Sequence, residues 1–487
     1  MRHASPWIPL LCLVALPAAV MLALVLLRNG GAFTYTLDDP YIHLALAKNL
    51  WHGHYGLNPE EPAAPSSSVL WPFLLAPFAA APGMFEFAPL AINLLCFAGL
   101  VALLNRLFAD LALGARLFTI ACVVIALNAF GLIFSGMEHE LQVLLVAVIA
   151  VSLLCAEYRY LYLAATLLPF VRYEGLAVSV PVLLYAAFHG ERRRAALCLA
   201  IIVVGLAAFS LFLKSVGLDY LPTSVLAKST HGGLRLTAMN ANENLLAYGF
   251  LIPVVYWLCR RYWVPAPGLA LVIAAVTALQ FLFGHFGWFG RYEVWWLMFL
   301  VLFALRAVFD DFAPPRVSLP TLLSGVAMLP LVFYPLTFDT LLVPAAAANV
   351  YNQQATLAAV ARAIDAPVAV NDLGLVALRS GDYVLDLWGL GSLEALRART
   401  TSSDPQWIRD TMASKGVRFA FIYDDWFPRK PAGWVRVGVL KLLGRRVTAS
   451  SDTVTFYATD AGAAAQLRRT LERYSHAIAP GYRFEIL

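Results

Sequence analysis

Charge is what this sequence lacks most. Only 13% of its 487 residues are Asp, Glu, Lys or Arg, where soluble domains carry about 25%. With 61% of the chain in the apolar set and a mean hydropathy of +0.72, an ordinary soluble enzyme is excluded. No single core grows large enough to bury that much apolar surface. Cysteine is equally uninformative about staples: the six (Cys12, Cys96, Cys122, Cys155, Cys198, Cys259) all lie in or at the ends of apolar runs, so no disulfide framework can be argued. The net charge of +5 is mild and follows from membrane topology, which leaves no reason to invoke a nucleic-acid partner.

The little charge present is unevenly placed. Residues 345–487 hold 17 Lys/Arg and 13 Asp/Glu, nearly half the charges of the chain. The tail is soluble-like and the front is not. Apolar runs between charges and turn residues predict eleven spans, near 7–27, 86–105, 115–134, 140–156, 160–171, 175–189, 195–213, 244–258, 266–284, 294–309 and 318–337. The two short runs at 160 and 175 read equally as one broken helix. Connection charges decide the count. With the N-terminus in the cytoplasm, Arg106, Arg116, Arg159, Arg192 to Arg194, Arg260, Arg261, Arg306 and Arg316 all fall on the cytoplasmic side, as positive-inside bias requires. The first run continues to Leu27 and is read as a span rather than a cleaved leader. The fold class expected is a polytopic α-helical membrane protein: a transmembrane module over 1–340 with a first outer loop at 28–85, and a small extracytoplasmic α/β domain over 345–487. The Pro-rich apolar stretch 68–82 reads as an interfacial or re-entrant helix.

This topology sends the polar oddities of the membrane half to one side. Ionisable groups at membrane depth are costly and mark a site when several converge. Asp39-Pro40 reads as a helix start, with Asp39 the N-cap and Pro40 at the first helical position. Asp38 then has no such structural duty and is the candidate general base. Glu138, Glu140 and Glu174 begin predicted helices, where the dipole favours acids in any case. Lys228 and Arg291 either snorkel to the interface or pair with a departing phosphate. His43, His52, His54, His139 and His231 lack zinc spacing. In the tail, helices over 349–364, 405–415 and 461–476 alternate with strands at 368–371, 383–386, 418–423 and 453–457.

Seven segments in order resemble the C-type (GT-C) integral membrane glycosyltransferases. The similarity is to the branch of the actinobacterial arabinofuranosyltransferases and related polyprenyl-phosphate-sugar transferases. They are LDDPYIHLALAKNLWHGHYGLNP (37–59), SSSVLW (66–71), SGMEHEL (135–141), RYEG (172–175), LPTSVLAKS (221–229), GRYEVWW (290–296) and, in the tail, VAVNDLGLVALRSGDYVLDLWGLGS (368–392). Pro40, Tyr173 and Glu293 depart from the branch's pattern. The resemblance implies sugar transfer from a polyprenyl-phosphate donor to a hydroxyl of a cell-envelope glycan or glycolipid, at the outer face of the cytoplasmic membrane. Carried over by position, Asp38 and Asp39 match the catalytic pair, Glu138 the second-loop acid, and Lys228 and Arg291 donor-phosphate contacts, with Glu174, Arg172 and His43 further candidates. The resemblance implies no definite cofactor and leaves a divalent cation open. A transporter or lipid flippase with an outer domain, or an inactive envelope scaffold, remain the alternatives from other classes.

Overall fold

The computed structural model describes residues 7–229, 234–312, 317–475 and 481–487. The chain is mostly helical with a six-stranded C-terminal sheet. It divides into two compact units, one of Met1–Met21, Pro89–Ala208 and His231–Leu341, the other of Leu22–Ala88, Phe209–Thr230 and Leu342–Leu487. The second unit therefore combines the predicted first loop with the tail, and the chain passes into the tail one residue after Leu341.

Three described helices are long and apolar enough to cross a bilayer: Ile8–Arg28, Ala88–Leu107 and Arg192–Ser215. Only 22% and 17% of the most apolar stretches of the first and third are buried in protein, so Leu16, Leu27, Val203 and Val204 need lipid around them. Two further spans arise if bent pairs count as one each: Leu113–Ala126 with Ala129–Ser135, bent 52°, and Leu319–Val332 with Tyr334–Ile364, bent 62°. The total is three to five, against the eleven predicted. Several predicted spans form shorter apolar helices instead, including His139–Leu154, Leu161–Val171, Tyr173–Phe188 and Pro267–Phe283. The predicted run 244–258 is interrupted by a 3₁₀ turn, Gly249–Leu251, ahead of the helix Ile252–Trp263. The stretch 68–82 forms the helix Trp71–Leu75 followed by a 3₁₀ turn, Ala76–Ala80.

The first unit centres on the helix Val294–Phe312. It is buried without interruption from Val294 to Phe303 and carries Trp295, Trp296, Phe299 and Phe303 into the core. A helix apolar all round is an interior helix. His139–Leu154 packs along it and along Leu161–Val171.

In the second unit, β1 (Val368–Val370), β2 (Val384–Asp386), β3 (Phe419–Ile422), β4 (Val435–Leu442), β5 (Thr453–Ala458) and β6 (Tyr482–Ile486) lie in the order β2-β1-β3-β5-β4-β6. β1 pairs parallel with both β2 and β3, while the remaining pairs are antiparallel. Four of the six strands and all three helical regions match the predicted pattern. β4 and β6 are additional, as are the helices Gly374–Arg379 and Leu393–Thr401. The three parallel strands are buried throughout, as expected of strands covered on both faces. The first loop is laced to this sheet. Asn58 Nδ2 donates to the Val384 carbonyl at 3.0 Å while its Oδ1 accepts from Val384 N–H at 2.9 Å. Arg379 pairs with Glu86, and the Tyr383 hydroxyl donates to Glu61.

Candidate functional site

The sequence-predicted residues fall into two sets, one in each unit. In the second unit the segment after Arg28 turns at Gly30 and Gly31, both at positive φ, and reaches the helix Asp39–Trp51. Asp38 takes the N-cap place and Asp39 the first helical position. This reverses the roles read from the sequence. The Asp38 side chain makes no cap bond to its own helix, because both of its oxygens serve the tail: Oδ2 accepts from Gly374 N–H at 2.5 Å and Oδ1 from Leu375 N–H at 2.9 Å. Asp38 is buried, whereas Asp39 is half-buried. The expectation that Asp38 lacks a structural duty is thus corrected. Its carboxyl holds the first loop to the tail.

Where Asp38 lands is informative. From β1 the chain crosses to β2 on one side and later returns to β3 on the other. In such sheets ligands bind in the crevice outside the strands' carboxyl ends at this switch point. The residues there are Asn371 and Asp372 after β1 and Tyr423 after β3. Asn371 Oδ1 accepts from Tyr423 N–H at 2.7 Å. Asp372 Oδ2 accepts from the Tyr423 hydroxyl and from Gln354 Nε2, each at 2.7 Å. Asp38 and Asp372 are neighbouring carboxyls. Burial, then the charge of Asp372, lifts Asp38 well above the usual carboxylate range. Burial likewise raises Asp372, against the hydrogen bonds it accepts from Tyr423 and Gln354. The third parallel strand ends similarly: Asp386 accepts from Trp388 N–H at 2.8 Å and Gly391 N–H at 2.7 Å, and burial pushes it up to about 6.

The LPTSVLAKS segment belongs to the same unit. Thr223 Oγ1 donates to the Ala64 carbonyl at 2.8 Å and also lies against the Leu390 carbonyl. It opens the helix Thr223–Ser229. Lys228 is on this helix, and its side chain lies outside the described residues, as does His231. His43 is buried within Asp39–Trp51.

The first unit gathers Glu138, Arg172, Glu174 and Arg291. Arg172 sits in extended backbone between Leu161–Val171 and the 3₁₀ turn Tyr173–Gly175. Its Nη1 meets Glu138 Oε1 at 2.6 Å and its Nη2 meets Glu174 Oε1 at 2.8 Å. Two carboxylates therefore answer its charge. The Tyr292 ring is flanked by both guanidiniums, with the Arg172 Cζ at 5.6 Å and that of Arg291 at 4.9 Å from its centroid, and by the His139 and His285 rings at 6.0 Å. Arg291 Nη2 donates to the Tyr292 hydroxyl at 2.9 Å.

Arg291 follows an unusual turn. Gly287, Trp288, Phe289 and Gly290 all have positive φ, a conformation costing roughly 1–2 kcal/mol for each residue that is not glycine. It is held from outside: Asn128 Nδ2 donates to the Phe289 carbonyl at 2.9 Å, Thr340 Oγ1 donates to Asn128 Oδ1 at 2.8 Å, and Glu293 Oε2 accepts from Gly287 N–H at 2.9 Å. Backbone strain fixed from several directions is a mark of functional positions. Burial pushes Glu293 up to about 7, against the hydrogen bond it accepts from Tyr248.

Sequence reasoning missed Asp372, Tyr423, Gln354, Asn128 and Tyr292. Asp372 had a signal, an Asn-Asp pair directly after the buried Val-Ala-Val of β1. Tyr292 lies inside the GRYEVWW segment, and the other three had no signal. Among the described residues no group of three or more His, Cys, Asp or Glu is arranged to hold a metal ion.

The family described as Domain of unknown function (DUF8728) matches residues 348–457. No curated protein matches the chain. Among solved structures, the chain is similar to the oligosaccharyltransferase of Archaeoglobus fulgidus in complex with Zn and sulfate, at 12% identity and a TM-score of 0.48, over 84% of this chain and 67% of that one. The apo form of that protein gives 12% identity and a TM-score of 0.46, over 85% and 69%.

Proposed function

We propose that this chain is a multi-pass glycosyltransferase of the cytoplasmic membrane that moves a sugar from a polyprenyl phosphate to an acceptor hydroxyl at the outer face, with its N-terminus in the cytoplasm and its tail outside. The observation that carries the reading is the carboxyl cluster at the start of the helix Asp39–Trp51. Asp38 is tied into the switch-point crevice of the tail sheet, and Asp39 follows it as the half-buried member. Asp39 is assigned the base. It takes the proton of the acceptor hydroxyl as that oxygen bonds to the anomeric carbon. The bond from that carbon to the phosphate oxygen breaks, and its electron pair stays on the lipid phosphate.

The charge growing on the phosphate calls for fixed cations. Lys228, in the same unit as Asp39, takes that role. In the other unit Arg172 braces Glu138 and Glu174. The acceptor is a glycan or glycolipid of the envelope.

The test is transfer of labelled sugar from polyprenyl-phosphate donors by the purified full chain. Asp39→Asn should lower transfer about 10²–10⁴-fold, the usual share of a general base, and leave donor binding intact. Wild-type turnover in Asp39→Asn would refute the assignment of the base.

A further inference from the structure

The second unit contains a cleft at the opposite end of the sheet from Asp38. The helices Asp39–Trp51 and Gly374–Arg379 pack together and start together, where Asp38 accepts from the Gly374 amide. Near their other ends a cleft of about 390 Å³ opens between the first loop and the tail, within the roughly 300–1,000 Å³ of small-molecule sites. Lys48 and Asn49 line it from the last turn of the first helix, Glu60 from the first loop, and Asp382 and Tyr383 from the residues just ahead of β2. All belong to one compact unit.

The walls are fixed from behind. Asn49 Nδ2 donates to the Gly56 and Leu57 carbonyls, each at 2.9 Å. Glu61 accepts from the Tyr383 hydroxyl and from Lys415 Nζ, the latter at 3.1 Å. Lys48, Glu60 and Asp382, by contrast, pair with no group among the described residues. The cleft is therefore preformed and its three charges are unspent, which lowers the cost of ordering a ligand there.

The lining selects the chemistry of that ligand. Two carboxylates against one amine, beside the negative end of the helix Asp39–Trp51, repel a phosphate. A polyprenyl chain would strip water from charged groups and return no hydrogen bonds. Sugar hydroxyls match the set: they donate to Glu60 and Asp382, which only accept, and accept from Lys48, which only donates. The Tyr383 ring and the Leu57 side chain supply apolar wall for the C–H faces of the sugars. Lys48 follows Asp39 by nine residues on one helix, so the cleft lies about 14 Å along the axis from the assigned base.

We infer that this cleft binds an uncharged stretch of glycan, as a holding site apart from the place where the reacting hydroxyl meets Asp39. The identity of that glycan as the acceptor rests on the proposed function; its binding in the cleft does not. Held there, the glycan presents its reacting end at a raised local concentration.

Two readouts separate holding from chemistry. The first is retention of the purified full chain on an array of neutral and phosphorylated oligosaccharides of bacterial envelopes, each of three or more sugars, which needs no donor. Wild type and Asp39→Asn should be retained alike, on neutral members of the array. Glu60→Ala and Asp382→Ala should each weaken binding about tenfold, the share of one hydrogen bond to a charged group. Neither side chain has a partner in the fold, so the thermal midpoint of both variants should match wild type. No retention of wild type, retention on phosphorylated members alone, or equal retention of the double variant would overturn the site. The second readout is transfer: the double variant should raise KM for a long neutral acceptor at least about tenfold and leave kcat and donor KM unchanged. An unchanged acceptor KM would overturn the holding role. If wild type binds neutral glycan through Glu60 and Asp382 yet transfers no sugar, the enzymatic reading fails and the glycan site stands.

Discussion

Arg172 and its two acids allow a graded test of how the first unit is held. The Arg172 side chain is 3% exposed, that of Glu138 0% and that of Glu174 30%. Replacing Arg172 with Met leaves Glu138 buried opposite no cation at that position, and removing one partner of a buried pair costs about 3–5 kcal/mol. Glu138→Gln keeps an oxygen for the guanidinium, and Glu174 still answers its charge. It loses the charged share of one hydrogen bond, about 1–2 kcal/mol. Glu174 is reached by solvent, so Glu174→Gln should cost less than about 1 kcal/mol. The double variant Arg172→Met with Glu138→Gln should cost at least about 1 kcal/mol less than the sum of its parts, because it no longer buries a lone charge. Denaturant unfolding of the purified full chain measures all four. Additive costs, or a neutral Arg172→Met, would refute the view that these groups act as one buried ion cluster.

Two further outcomes follow from local geometry. A Cβ at Gly374 would overlap the Asp38 carbonyl oxygen and lie 2.8 Å from Oδ2, so Gly374→Ala should expel Asp38 and cost at least about 1–3 kcal/mol; unchanged hydrogen-exchange protection at Leu375 N–H would contradict it. Glu293, pushed up to about 7 by burial, holds a proton below that pH. Its contribution is full below the ordinary glutamate value near 4.5 and is lost as pH rises from there to about 7, at up to about 1.4 kcal/mol per unit, levelling off above. Glu293→Gln should remove that slope from stability curves between about pH 4.5 and 7, and identical slopes would contradict it.

What could be read from the sequence was local. The buried strands Val368–Val370 and Phe419–Ile422 declared themselves as short apolar runs, and Asp39-Pro40 declared a helix start within one residue. The count of eleven spans is not matched because several apolar runs form helices of only 10–17 residues, such as Leu161–Val171, and because Val294–Phe312 carries Arg306, Asp310 and Asp311 in its last turns. The tie of Asp38 to the Gly374 and Leu375 amides was out of reach for another reason. It depends on β1 lying between β2 and β3, a property of topology that no window of residues encodes. Arg172 was only a further candidate, and its pairing with Glu138, 34 residues away, could not be read from any window of sequence. Arg291 follows a feature equally invisible in sequence, four consecutive left-handed residues of which two, Trp288 and Phe289, are not glycine.

The central claim is that Asp39 serves as base in sugar transfer from a lipid phosphate. Its most direct measurement is the rate of labelled-sugar transfer from a polyprenyl-phosphate donor by purified wild type and Asp39→Asn, at matched folding and donor occupancy. The account predicts transfer by wild type and a loss of at least about 100-fold in the variant. Equal rates in the two proteins would contradict it.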